Sequence, residues 1–234
     1  MTQTRVTKDA FRSCARNITM RHFLLLAVGN HVVPAQQLAA SASIHVDEDL
    51  SRDLRRQAEN FVYTAARAYK EGMKRFGKAM GKDISFMFQK QPAYERALIV
   101  LRSTDPGLAD YLRETRTLWS ECLIEKRNDI DHNGWSLPRI EYRLSNGRVE
   151  AKQPLIDGQT TVEFIEFMFD RLSCFVEDFT AHCLQSRMPQ GVAITEIPMA
   201  ERVPESPERF RLTLQVGGLP KWKIRYRTAP FDSI

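Results

Sequence analysis

The sequence predicts an α+β protein that is mainly α: a helical bundle with an inserted β-hairpin and a small C-terminal β appendage. Three observations lead there. Between about residues 49 and 183, long stretches place apolar side chains three or four residues apart, the spacing of one helix face. Within them, 139–152 alternates apolar and polar residues around Asn146-Gly147, a strong short-range hairpin signal. After about Met188 the helical spacing gives way to short alternating runs separated by prolines. The 234 residues suffice for a sizeable core, and 43% hydrophobic with 27% charged residues exclude a disordered chain.

Residues 1–46 carry Arg5, Lys8, Arg12, Arg16 and Arg21 against the single acid Asp9. They are read as a basic N-terminal arm to about residue 18, followed by an irregular or short helical segment. The apolar run 23–28 falls far short of the ~20 residues a membrane span needs, and it is too short and broken for a signal peptide. No membrane association is expected. From Asp49, the residues Leu50, Leu54, Ala58, Phe61, Ala65, Ala68 and Phe76 line one face of a long amphipathic helix, loosened at its end by Gly72, Gly77 and Gly81. Gln91-Pro92 precedes a short helix over 93–102. Asp105-Pro106 then opens a third helix, with proline in its first turn and Leu108, Leu112, Thr115, Leu118/Trp119, Cys122/Leu123 and Ile130 as its stripe. It runs to about His132, where Asn133-Gly134 tolerates the left-handed backbone that ends helices.

After the hairpin, Thr160 with Glu163 forms a capping-box pattern. Val162, Ile165, Met168/Phe169, Leu172, Phe175/Val176, Phe179 and Cys183 continue from it as the most apolar helix. Strands are expected over 192–197, 209–216 and 221–227, the last two joined by a turn at 217–220. The domain reading is therefore 1–46 as basic arm, 47–188 as bundle with the hairpin at 139–152, and 189–234 as β appendage.

Several chemistries fail on their residues. Gly72 to Lys78 matches the start of a phosphate-binding loop, but Ala79 replaces the hydroxyl that holds magnesium, and a helix precedes it where a strand is required. Asp129-Ile-Asp-His132 approximates one half of a di-metal carboxylate site and no second half exists; Glu121 and Glu125 read as a solvated face. No Gly-x-Ser-x-Gly occurs. Cys14, Cys122, Cys174 and Cys183 show no C-x-x-C pair and read as buried, reduced thiols of a cytoplasmic protein. His182 falls near the apolar stripe of its helix and reads as a core or helix-end histidine.

The run Arg127-Asn-Asp-Ile-Asp-His132 departs from an ordinary helix end. One turn beyond Leu123, Arg127 lies at the edge of the apolar stripe, where a guanidinium must be paired or line a cleft. Asn128 and His132, four apart, share one side. An acid/base, a permanent cation and an orienting amide suit phosphoryl transfer, while pairing of Arg127 and His132 with Asp129 and Asp131 would make the cluster purely structural.

Arg127, four residues and then His132, near the end of a bundle helix, resembles the HEPN superfamily motif of Arg, four to six residues, His. The resemblance covers roughly residues 50–188. It implies a compact helical bundle, a homodimer and a metal-independent endoribonuclease with no cofactor. His132 would serve as general base on the ribose 2′-hydroxyl or acid on the leaving 5′-oxygen, Arg127 would stabilise transition-state charge, and Asn128 would orient Arg127 or the phosphate. The hairpin and the β appendage depart from the minimal bundle. Some HEPN domains are non-catalytic interaction or RNA-binding modules, so an antitoxin or other protein partner is the alternative, within a toxin–antitoxin or defence pair.

Independently, period two in the C-terminal strands puts Phe210, Leu212, Leu214, Val216, Trp222, Ile224 and Tyr226 on one face. Arg209, Arg211, Lys221, Lys223, Arg225 and Arg227 fall on the other. Six cations in a ladder suit an RNA backbone, or equally an edge protected against aggregation. The net charge of +5 is concentrated at the two ends of the chain.

Overall fold

A computed structural model describes residues 48–145, 148–202 and 209–214. The basic arm, Cys14, the hairpin turn Asn146-Gly147 and the strand expected over 221–227 lie outside them, and with that strand Lys221, Lys223, Arg225 and Arg227. Among the described residues the chain is mainly helical, with three two-stranded antiparallel sheets, and the α+β class with a helical majority holds.

Helix α1 (Glu48–Arg67) passes into π-helical turns at Ala68–Met73 and then into α2 (Lys74–Ala79). A 3₁₀ turn at Ser85–Phe88 precedes α3 (Ala93–Thr104). Helix α4 (Pro106–Thr115) continues through a second π-helical stretch, Arg116–Ser120, into α5 (Glu121–His132). The first and third expected helices therefore form where the periodicity puts them, each with a π segment that the pattern does not announce. A π turn widens the repeat locally, so the buried stripe slips. In the first, Tyr69 and Met73 are buried and Ala68 is only half-buried. In the second, Trp119 and Ser120 are buried, and Leu118, expected on the stripe, is exposed.

Local chemistry explains the ends. Asp105 caps α4 by accepting from the Leu108 amide at 3.2 Å, with Pro106 at the first helical position. Past α5, Gly134 adopts φ +64°, and the Trp135 amide reaches back to the Asp129 carbonyl at 3.1 Å. Strands β1 (Glu141–Ser145) and β2 (Arg148–Lys152) pair with Arg143 opposite Glu150, as the alternation requires. A second hairpin, β3 (Leu155–Ile156) with β4 (Gln159–Thr160), escapes the sequence reading because two-residue strands are too short to alternate. Its turn is Asp157-Gly158, both at positive φ, the other dipeptide that favours tight hairpins. The capping box forms as expected: Glu163 accepts from the Thr160 amide at 2.9 Å, and the Thr160 hydroxyl accepts from the Glu163 amide at 3.3 Å, opening α6 (Thr161–Gln185). Strands β5 (Val192–Glu196) and β6 (Phe210–Leu214) pair antiparallel.

The chain divides into two compact units, with boundaries at 68/69, 121/122 and 169/170, inside helical segments. The unit holding residues 48–68 and 122–169 buries Leu54, Ala58, Phe61, Val62, Leu123, Leu137, Ile156 and Phe164. The other centres on aromatic rings. Tyr69 lies 5.1 Å from Phe88, 5.0 Å from Trp119 and 5.1 Å from Phe175, which stacks on Phe179 at 5.5 Å. Each such pair contributes ~0.5–1.5 kcal/mol beyond its burial.

Gly77 in α2 shows how closely that unit is packed. A Cβ there would stand 2.4 Å from the Lys82 carbonyl oxygen and 3.0 Å from the Phe179 ring. The overpacking cost of ~1–3 kcal/mol exceeds the ~1 kcal/mol that alanine gains as a helix former. Gly77→Ala is therefore expected to lower the urea midpoint of unfolding. A raised midpoint would contradict the close approach.

Candidate functional site

The last turn of α5 is locally unfavourable by sequence. Asp129 and Asp131 stand where the helix dipole disfavours anions, at ~0.3–1 kcal/mol each, and each carboxylate has compensating donors. Asp129 accepts from the Asn133 side-chain amide at 2.8 Å. Asp131 accepts from the Tyr63 hydroxyl of α1 at 2.5 Å and from Arg127 Nη2 at 2.7 Å. The carboxylate in turn holds the Tyr63 hydroxyl above its usual pKa. Arg127 Nη1 donates to Asn128 Oδ1 at 3.1 Å, so the guanidinium is fixed from two sides while 37% of its side chain faces solvent. His132, the last residue of α5, is exposed. At i+4 from Asn128 it stands on that residue's side of the helix.

The structure thus brings Arg127 and Asn128 together, forms the Arg127–Asp131 pair that the sequence offers as the purely structural alternative, and adds one residue the sequence reading passes over, Tyr63. Tyr63 lies 68 positions before Asp131 on another helix, and nothing in its local pattern marks it. Arg127 is the half-exposed cation of this helix. The buried one is Lys126, whose side chain is 10% exposed, and it donates to Asp157 Oδ1 at 2.8 Å beside the Trp135 ring. A signal for it was present: position 126 stands three after Leu123 and four before Ile130, on the stripe itself. Cys122 also approaches Asp157, at 3.6 Å; burial and that carboxylate push its thiol up to about 11. Burial does the same to Cys174 and Cys183, so none of the three is a thiolate nucleophile near neutrality.

A second polar cluster belongs to the other unit. His182 Nε2 lies 2.9 Å from Asp105 Oδ2, which also accepts from Lys82 Nζ at 2.8 Å. Partial burial would raise Asp105, but the contacts with His182 and Lys82 outweigh it and hold the carboxyl well below its ordinary value. His182 is thus a partnered helix-end histidine.

The expected cationic ladder is corrected at its first rung. Arg209 is buried, its side chain 3% exposed, and it donates to Glu177 at 2.9 Å and to Asp178 at 3.0 Å. Burial pushes Asp178 up to about 6, against the pull of Arg209 and of the Tyr111 hydroxyl at 3.2 Å. Arg211 is exposed and pairs with Glu201 at 2.8 Å. The expected apolar side is open instead, with Leu212 and Leu214 at 67% and 85% exposure. The reason is electrostatic: two carboxylates on α6 draw Arg209 inward, and pairing overrides the period-two pattern.

Among the described residues no group of three or more His, Cys, Asp or Glu is placed to hold a metal ion, and no helix is long and apolar enough to cross a membrane. Comparison with protein-family models, with curated proteins and with solved structures finds no match to this chain.

Because the folded chain holds Asp105 below its unfolded value of ~3.9, the unfolded state binds more protons in that range. The stability Asp105 contributes is fully present above the unfolded value and is lost as pH falls through the folded one. Urea unfolding between pH 6 and pH 3 should show wild type losing stability more steeply than Asp105→Asn. Parallel profiles would contradict the assignment.

Proposed function

We propose that this chain is a HEPN-type, metal-independent endoribonuclease, acting as a homodimer with Arg127, Asn128 and His132 at a composite site. The observation that carries the reading is the Arg127 guanidinium, held by Asn128 and Asp131 and still open to solvent, five residues before an exposed histidine at the helix end. A fixed cation needs no reorganisation when charge develops on a phosphoryl group, which is where such electrostatics lower a barrier most. His132 withdraws the proton of the ribose 2′-hydroxyl, and the 2′-oxygen attacks phosphorus. The 5′-oxygen leaves with a proton returned by histidine, giving a cyclic phosphate and a 5′-hydroxyl. Arg127 neutralises the phosphorane oxygens.

The same ion pair favours a second reading. A guanidinium already matched by Asp131 at 2.7 Å has less net charge to offer a phosphate, which suits a non-catalytic HEPN-like interaction or RNA-binding module, one half of a toxin–antitoxin or defence pair. Activity separates the two.

Purified protein incubated with single-stranded RNA and excess EDTA is expected to leave cyclic phosphate ends. His132→Ala should lower the rate at least ~100-fold, the scale of general acid–base catalysis, with an unchanged circular dichroism spectrum. Equal cutting by both proteins would remove His132 from the mechanism. Absence of cutting by the wild type, with RNA or a protein partner still bound, would select the second reading.

A further inference from the structure

Tyr63 is an aromatic residue with 36% exposure on α1, and its one polar atom is tied to the carboxylate that grips Arg127. A tyrosine needing only burial of its ring would sit in the core, as Tyr69 does at 1% exposure. One serving only as a hydrogen-bond donor could be any hydroxyl or amide. Tyr63 instead stays 36% exposed while its hydroxyl is anchored. The Asp131 carboxylate, through contacts of 2.5 and 2.7 Å, joins the end of an aromatic side chain and a cation to one group.

We propose that Tyr63 forms a nucleobase-stacking subsite, with single-stranded RNA as its ligand: Arg127 takes a phosphate and the Tyr63 ring takes the base of an adjacent nucleotide. The inference rests on the RNA-directed reading above and extends it by naming a residue that reads the substrate's aromatic part. Stacking on an exposed aromatic ring recognises any base through its π-face and excludes paired duplex, whose bases are already stacked. Asp131 acts as a positioning residue for both groups. The anchored hydroxyl limits the ring's rotation, which reduces the ordering cost of binding.

The test uses the His132→Ala protein, which binds without cutting, and a fluorescein-labelled single-stranded RNA dodecamer read by anisotropy. Adding Tyr63→Ala should weaken binding about tenfold, within the range for loss of one stacked base, while Tyr63→Phe, which keeps the ring, stays within about threefold. A set of dodecamers each carrying one abasic site then locates the base. One of them should weaken the Tyr63-containing protein about tenfold and leave the Tyr63→Ala protein no weaker than before. Unaltered affinity in Tyr63→Ala, or a loss that no abasic position absorbs, overturns the subsite and leaves the RNA-directed reading standing. Failure of both wild type and His132→Ala to bind the dodecamer overturns that reading and the subsite with it.

Discussion

The Asp131 carboxylate takes the Tyr63 hydroxyl at 2.5 Å and the Arg127 guanidinium at 2.7 Å, and through these contacts one group at the end of α5 fixes a ring on α1 and a cation on its own helix. In stability terms the arrangement contributes little. An exposed i,i+4 ion pair is worth ~0.3–0.5 kcal/mol, arginine before aspartate is the less favourable order, and an anion in the last turn opposes the helix dipole. A leucine-rich turn would hold the helix end better. What the carboxylate supplies is orientation, and orientation is what a phosphoryl-transfer site requires of a long, flexible arginine.

The remaining charged clusters show how differently the same residue types behave once buried. Arg209 with Asp178 is a desolvated pair whose separation would leave a charge unmatched, at a cost of several kcal/mol, while Lys126 is a buried cation whose partner Asp157 stays open to solvent. They secure strand β6 to α6 and the β3–β4 turn to α5 respectively. The Asp105 cluster secures the start of α4 to the end of α6. Lys126 and Arg209 are buried in these contacts, which are structural; the Arg127 cluster leaves its cation open to solvent. Exposure, more than residue identity, separates the candidate site from the struts around it.

Much of this was readable in the chain. Helix spans followed from periodicity, the α4 start from Asp105-Pro106, the α6 start from Thr160 and Glu163, and the first hairpin from Asn146-Gly147, because each signal acts over a few residues. The π turns were not readable, since one extra residue per turn changes a stripe by less than the scatter of real sequences. Tyr63, the contact of Asp105 with His182 and the burial of Arg209 were not legible for a common reason: each depends on a partner 31 to 77 positions away. At the candidate site, the local part of the pattern, Arg127 with Asn128, was legible. Asp131, which holds it, was legible as a pairing partner that would make the cluster structural, and Tyr63 was not legible at all.

The most direct test of the central claim is the rate of RNA cleavage by Asp131→Asn in excess EDTA, with unfolding measured in parallel. If Asp131 positions Arg127, the rate falls on the order of 10- to 100-fold, as for a misplaced catalytic group, while the urea midpoint hardly moves. A rate equal to or above that of the wild type would contradict the account, because it would show that the carboxylate only masks the cation.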